Sequence, residues 1–157
     1  MNISDLLAPD AVLAGLKPQG KKQLLQEISA RAALITHVPE RKIFETLMER
    51  ERLGTTGVGQ GVAIPHGRIQ EVTTIHGVFA QLDAPIDYAS VDNQPVDLVF
   101  MLLAPASAGA DHLKALARVS RLLRNQQACE KLRSARSAEA LYAILTEPSG
   151  NAGAQAA

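Results

Sequence analysis

Apolar residues along this chain change their spacing several times, and each change marks an element. Between Lys21 and Ile35 they fall at Leu24, Leu25, Ile28, Ala32 and Ile35. Steps of three and four put them on one face of a helix. A second helix is predicted from Pro39, a residue favoured in a first turn. Ile43, Phe44, Leu47 and Met48 share one side of it, while Glu40, Arg41, Glu45, Glu49 and Arg50 lie largely elsewhere. Gly54 must end it. Upstream, Ser4 to Leu7 reads as a short helical turn closed near Pro9, and Ala11 to Leu16 as a short strand.

The period then shortens. Val62 to Ile64 is a brief apolar run, read as a buried strand. Thr73 to Leu82 is rich in β-branched residues, with His76, Val78, Ala80 and Leu82 on one face and Ile75, Gly77 and Phe79 on the other. Pro85, Asp87, Asp92 and Asn93 make Ala84 to Gln94 a turn region. Val96 to Leu103 is almost wholly apolar, as expected of a central strand buried on both faces. After a loop from Pro105 to Gly109, Asp111 is expected to cap a helix carrying Leu113, Leu116, Val119, Leu122 and Leu123. Ala128 to Leu132 and Ser137 to Leu145 form two further short helices, the second capped by Ser137. The small, polar tail over 148–157 is expected to be disordered. Helices interleaved with strands define a single-domain α/β sandwich.

Composition narrows the function classes. The chain has 157 residues, enough for a sizeable core, and 16 cationic side chains balance 16 anionic ones. Zero net charge, no tryptophan and 3% aromatics argue against a nucleic-acid surface. The longest apolar stretch is too short to span a bilayer, so no membrane insertion is expected. The N-terminus has no secretory signal, and the single Cys129 permits no intrachain disulfide; a cytoplasmic location follows as the simplest expectation.

The chemistry concentrates in Gly54-Thr55-Thr56-Gly57-Val58-Gly59-Gln60-Gly61-Val62-Ala63-Ile64-Pro65-His66-Gly67-Arg68. Alternating glycines give way to a short strand, a stiff proline and then His66. This arrangement presents an imidazole at the edge of a rigid sheet, as a nucleophile, base or ligand. The glycine spacing fits neither the dinucleotide fingerprint nor the P-loop, which disfavours ATP or NAD, while the glycine N–H groups stay able to cradle a phosphoryl group. His112 follows the central strand, where α/β folds place ligand-binding groups, although a plain histidine near a helix start is the simpler reading. Arg50 and Arg52 close the second helix beside the loop. They are either dipole-compensating surface cations or the partners of an anion at His66. A metal site built from His66, His112 and Asp111 lacks ligand spacing, so no metal and no cofactor are expected. His37, His76 and Cys129 have no supporting constellation.

Glu51, Val58-Gly59 and Val62-Ala63-Ile64-Pro65-His66-Gly67 together resemble the signature of the fructose/mannitol-type enzyme IIA domains of the bacterial phosphotransferase system. The whole run from Gly54 to Arg68, with Asp92-Asn93-Gln94-Pro95-Val96-Asp97-Leu98 and Asp111-His112-Leu113, is most similar to the nitrogen-regulatory branch. The resemblance extends from about Ile3 to Leu145 and implies an enzyme IIA type-2 domain over 1–147. It further implies a central mixed β-sheet flanked by helices on both sides. By resemblance His66 is the phosphoryl acceptor, and His112 and Arg50 are its active-site companions. Thr56, with Gly59 and Gly61, is placed in a phosphoryl-binding loop. The implied donor is an HPr-like phosphocarrier of the nitrogen type, and the implied targets include potassium transport proteins and sensor kinases. Two functions stay open within the family. One is a regulator whose phosphorylation state controls partners. The other is a sugar-specific enzyme IIA that passes its phosphoryl group to an enzyme IIB for fructose or mannitol uptake.

Overall fold

A computed structural model describes residues 1–148. The tail over 149–157, expected to be disordered, lies outside the described residues. The architecture is one mixed, open sheet of six strands with helices on both faces. The helices are α1 (Ile3–Leu6), α2 (Lys21–Thr36), α3 (Glu40–Arg52), α4 (Gly109–Arg124), α5 (Gln126–Ser134) and α6 (Ala138–Leu145). The strands are β1 (Val12–Leu16), β2 (Gly57–Gly59), β3 (Val62–Ala63), β4 (His66–Ile69), β5 (His76–Ile86) and β6 (Val96–Pro105).

The continuous apolar run makes β6 the axis of the sheet, buried along almost its whole length. One edge of it pairs antiparallel with β5, which pairs in turn with β1. Its other edge is shared. β3 pairs parallel with the first half, Ala63 opposite Val99, and β4 with the second half, His66 opposite Leu102. The register is the same on either side of the gap. Only the ladder is interrupted, because Pro65 has no N–H to donate. Its carbonyl still accepts from Leu102 N at 3.0 Å, while Ile64 N turns away to Thr56 O at 2.9 Å.

Side-chain alternation then decides which helix each strand residue meets. On β4, Gly67 faces α3, since a Cβ there would lie 2.6 Å from Thr46 Cγ2. His66 and Arg68 therefore face the opposite way, toward α4. Helices α2 and α3 cover the first face and α4 to α6 the second. Gln81 is a buried polar group of the second face, and it is satisfied there: its amide donates to Leu132 O at 2.7 Å and Ala135 O at 2.8 Å, tying β5 to α5.

The structure adjusts several expectations. β5 continues through Ile86, past the predicted turn at Ala84, with its register broken between Gln81 and Ile86. The glycine loop contains a strand, β2, paired with β3. Helix α4 begins at Gly109, so Asp111 sits inside its first turn and does not cap it. The buried stripe of α4 is His112, Ala115, Val119 and Leu123. Leu113, expected on the core face, is 64% exposed. Ser137 does cap α6, accepting from Ala140 N at 3.1 Å.

Gly77 packs the sheet against α1. A Cβ at this position would lie 2.6 Å from Phe100 Cε1 and 3.3 Å from Leu6 O. Gly77→Ala is expected to cost about 1–3 kcal/mol of unfolding free energy by overpacking, measured as a lower midpoint in urea with unchanged slope.

Candidate functional site

The site lies where the sheet edge at β4 meets the C-terminal end of α3 and the start of α4. An open pocket of about 630 Å³ is lined there by Thr46, Glu49, Arg50, Arg52, Leu53, His66, Gly67, Arg68 and His112. The imidazoles of His66 and His112 have ring centroids 5.6 Å apart and planes tilted by 51°. Thus residues 46 positions apart in the chain converge, and Arg50 joins them from α3.

The chain turn at Pro65 orients the His66 ring. Its Nδ1 lies 2.8 Å from the carbonyl of Ile64. A carbonyl can only accept, so Nδ1 carries the proton and Nε2 holds a free lone pair. Burial lowers the His66 pKa below 6.5, the Ile64 bond works against this, Arg50 lowers it further and Glu51 raises it. The neutral, nucleophilic form is the net result. His112 is also held below 6.5, by burial first and then by His66 and Arg68. Its buried Nδ1 has no hydrogen-bond partner among the described residues.

Behind the pocket lies a buried polar cluster that supports Arg50. Glu51, in the last turn of α3, accepts from Thr56 N at 3.2 Å, from the Thr56 hydroxyl and from Tyr88 Oη at 3.1 Å. Lys21 Nζ completes the set 2.6 Å from the carboxylate and sits 4.4 Å above the Tyr88 ring. Burial, then the Glu51 charge, pushes the Tyr88 phenol well above its usual range, which keeps it a donor. Arg50 Nη1 donates to Gly54 O at 2.8 Å, so the loop also restrains the arginine.

Not every predicted site residue is brought together. Thr56 is buried in the Glu51 cluster and does not line the pocket. Gly59 and Gly61 line no part of it either. A Cβ on Gly59 would lie 3.2 Å from Asp92 Oδ2, and one on Gly61 would lie 2.6 Å from Arg133 Nη2. Their positive φ angles of 108° and 83° serve the tight β2–β3 connection. Arg68, read in the sequence only as part of the motif, stands in the pocket two residues beyond His66 on the same face of β4. Strand alternation was the signal that could have found it. Lys21 and Tyr88 carry no local signal, because their partners are distant in sequence. Among the described residues no three His, Cys, Asp or Glu side chains converge as a metal site, and no helix is long and apolar enough to cross a membrane.

Residues 5–147 match the family model described as phosphoenolpyruvate-dependent sugar phosphotransferase system, EIIA 2. The chain belongs to this family. It is 58% identical to a nitrogen regulatory protein of Bradyrhizobium diazoefficiens over 97% of this chain and 99% of that one. It is 41% identical to the nitrogen regulatory protein of Escherichia coli, over 96% and 93%. The crystal structure of nitrogen regulatory protein IIA-Ntr from Neisseria meningitidis superposes with a TM-score of 0.87 at 35% identity, covering 92% of this chain and 99% of that one. The mannitol IIA of Escherichia coli shares the fold, with a TM-score of 0.75 at 18% identity over 88% and 97%. This chain is therefore an EIIA 2 domain, a component type of the phosphotransferase system, and its fold is that of IIA-Ntr.

Two predictions follow from the geometry of this EIIA 2 domain. Glu51→Ala removes the acceptor shared by Thr56, Tyr88 and Lys21, and is expected to cost about 2–3 kcal/mol, less than a fully buried pair because Lys21 is partly exposed. Denaturant melts measure the loss. Both His66 and His112 should titrate below 6.5 when followed by imidazole proton NMR. Between those lowered values and 6.5 the unfolded chain binds more protons than the folded one. Stability should therefore decline as pH falls through this window, and a midpoint at or above 6.5 for both rings would contradict the stated environment.

Proposed function

We propose that His66 Nε2 accepts a phosphoryl group from the phosphohistidine of an HPr-like phosphocarrier of the nitrogen type, and that the phosphorylation state of this cytoplasmic protein controls the proteins it binds. The observation that carries the reading is the hydrogen bond from His66 Nδ1 to Ile64 O. It fixes the tautomer, holds the ring still and leaves Nε2 as the nucleophile on an open pocket.

The step balances without a cofactor. The Nε2 lone pair forms the new N–P bond, the N–P bond of the carrier breaks, and the carrier imidazole keeps that electron pair. The proton stays on His66 Nδ1, donated in a hydrogen bond to the Ile64 carbonyl. Two similar bonds are exchanged, so the barrier is set by in-line approach and by the charge on the equatorial oxygens. Arg50 and His112 supply donors for that charge, and Arg68 and Arg52 add positive potential at the rim. Thr56, Gly59 and Gly61 take no direct part. Their role is to shape the loop that restrains Arg50.

A regulatory role, with no sugar product, is favoured by the similarity to nitrogen regulatory proteins over nearly the full length of both chains. The alternative hand-over to an enzyme IIB draws support from the fructose-specific EIIABC component of Bacillus subtilis, which is 30% identical over 94% of this chain but of which the match covers only 23%. Potassium transport proteins and sensor kinases are the target classes that accompany the regulatory reading.

Incubation with phosphoenolpyruvate, enzyme I and carrier should add one acid-labile phosphate to the wild type and none to His66→Ala. Phosphorus–nitrogen coupling in labelled protein should place it on Nε2. Arg50→Ala and His112→Ala should keep the fold but slow the transfer by about 10- to 100-fold. Label retained on His66→Ala, or found on Nδ1, would overturn the mechanism. Transfer onward to a fructose or mannitol enzyme IIB at a comparable rate would select the sugar-uptake reading.

A further inference from the structure

Helix α4 has two unlike faces. Its buried stripe includes His112 of the pocket. Its solvent side carries Leu113, Lys114, Ala117, Arg118, Arg121 and Arg124, and no acidic residue occurs from His112 to Cys129. None of the ion pairs among the described residues involves these four cations. The remainder of the chain must therefore carry the compensating negative charge, since the total is zero.

Such a stripe opposes helix stability. Lys114 with Arg118, Arg118 with Arg121, and Arg121 with Arg124 are neighbours at spacings of four and three, and each like-charge pair costs a few tenths of a kcal/mol. The helix dipole accounts for Arg121 and Arg124 in the last turn. It does not account for Lys114, in the first half of the helix, or for Arg118 in the middle. Crowding is visible at Arg118, whose pKa is lowered by burial and then by Arg121. A cost of this kind is recovered when an external anion supplies the missing countercharge.

We propose that the solvent face of α4 docks an acidic surface of a partner protein. Leu113, 64% exposed at the pocket end of the stripe, supplies an apolar anchor, and the cations supply the charged rim that a protein interface uses. The stripe is about 15 Å long from Lys114 to Arg124 and carries no aromatic side chain, so it suits a protein face better than a nucleic-acid backbone. A single exposed leucine is too little apolar area for a membrane-surface helix. Because the same helix presents His112 to the pocket, an acidic partner bound here sits beside the histidine pair. The docking itself does not depend on phosphoryl transfer at His66, and its test is independent of that chemistry.

The test uses the full unphosphorylated chain and a short helical peptide with glutamates along one face and one leucine, compared with the same peptide carrying glutamine in place of glutamate. Amide NMR shifts should cluster over residues 113–124 for the acidic peptide only and fade as salt is raised. Arg118→Glu with Arg121→Glu should weaken the apparent affinity about tenfold or more, and Arg118→Gln with Arg121→Gln by a smaller factor, with thermal melts no lower than wild type. Shifts centred elsewhere, or affinities within about twofold after charge reversal, would sink the proposal. Tighter binding to a short DNA duplex or to phosphatidylserine vesicles than to the peptide would also overturn it, by assigning the face to another polyanion.

Discussion

The site rests on one buried carboxylate. Glu51 gathers donors from three places that the chain visits separately: Lys21 at the start of α2, Thr56 in the glycine loop, and Tyr88 in the segment between β5 and β6. A carboxylate can be buried only if its charge is met and its lone pairs are used. Here both conditions are satisfied, and satisfying them fixes the loop against the end of α3. Arg50, the preceding residue, inherits that position and holds Gly54 O in turn. Removing the carboxylate would leave the arginine on an untethered helix end. Precision at the pocket mouth is thus produced by a cluster that does not itself line the pocket.

A second constraint acts through an absence. Pro65 has no N–H, so the ribbon formed by β3 and β4 loses a rung against β6 without losing register. The carbonyl of Ile64 points away from β6 by strand alternation, as does its N–H, which donates to Thr56 O, and there it accepts from His66 Nδ1. The backbone thereby chooses the tautomer. On the opposite side of β4, Gly67 lets Thr46 of α3 approach to a distance that any side chain would forbid. Proline, histidine and glycine therefore have separate tasks in three consecutive positions. One interrupts the ladder, the next bonds the outward carbonyl of Ile64, and the last brings in the helix that carries Arg50.

What was legible in the sequence followed from short-range periodicity. The helical faces of α2 and α3 and the continuous burial of β6 needed only local spacing, because each element meets the core along one stripe or on both faces. His66 was legible for the same reason, since glycine, proline and a buried run surround it locally. The boundary of α4 was not. Asp111 resembles a cap, but the helix begins at Gly109, and its packing on the sheet buries His112 and leaves Leu113 outward. Gly59 and Gly61, read as part of a phosphoryl-binding loop, lie outside the pocket because glycine permits several backbone tasks, and which one applies depends on Asp92, Asp97 and Arg133, all remote in sequence. Thr56 stands apart from the pocket because its hydroxyl donates to buried Glu51.

The charges around the histidines serve two states with one arrangement. Before transfer, Arg50 and Arg68 add to burial in disfavouring the imidazolium forms of His66 and His112 respectively, so lone pairs persist at neutral pH. After transfer, on the function proposed here, the same cations face a group bearing about two negative charges, a charge typical of a phosphoryl monoester. The interaction that made a cation on the ring unfavourable then becomes attraction for the anion attached to it. His112 can follow the same reversal, because burial and then His66 and Arg68 keep it neutral, and an anion between them would oppose all three. A proton gained by His112 on phosphoryl arrival would give the oxygens one more charged donor without any movement of the backbone. Glu51 limits how far this goes: its own charge opposes that of Arg50 at His66.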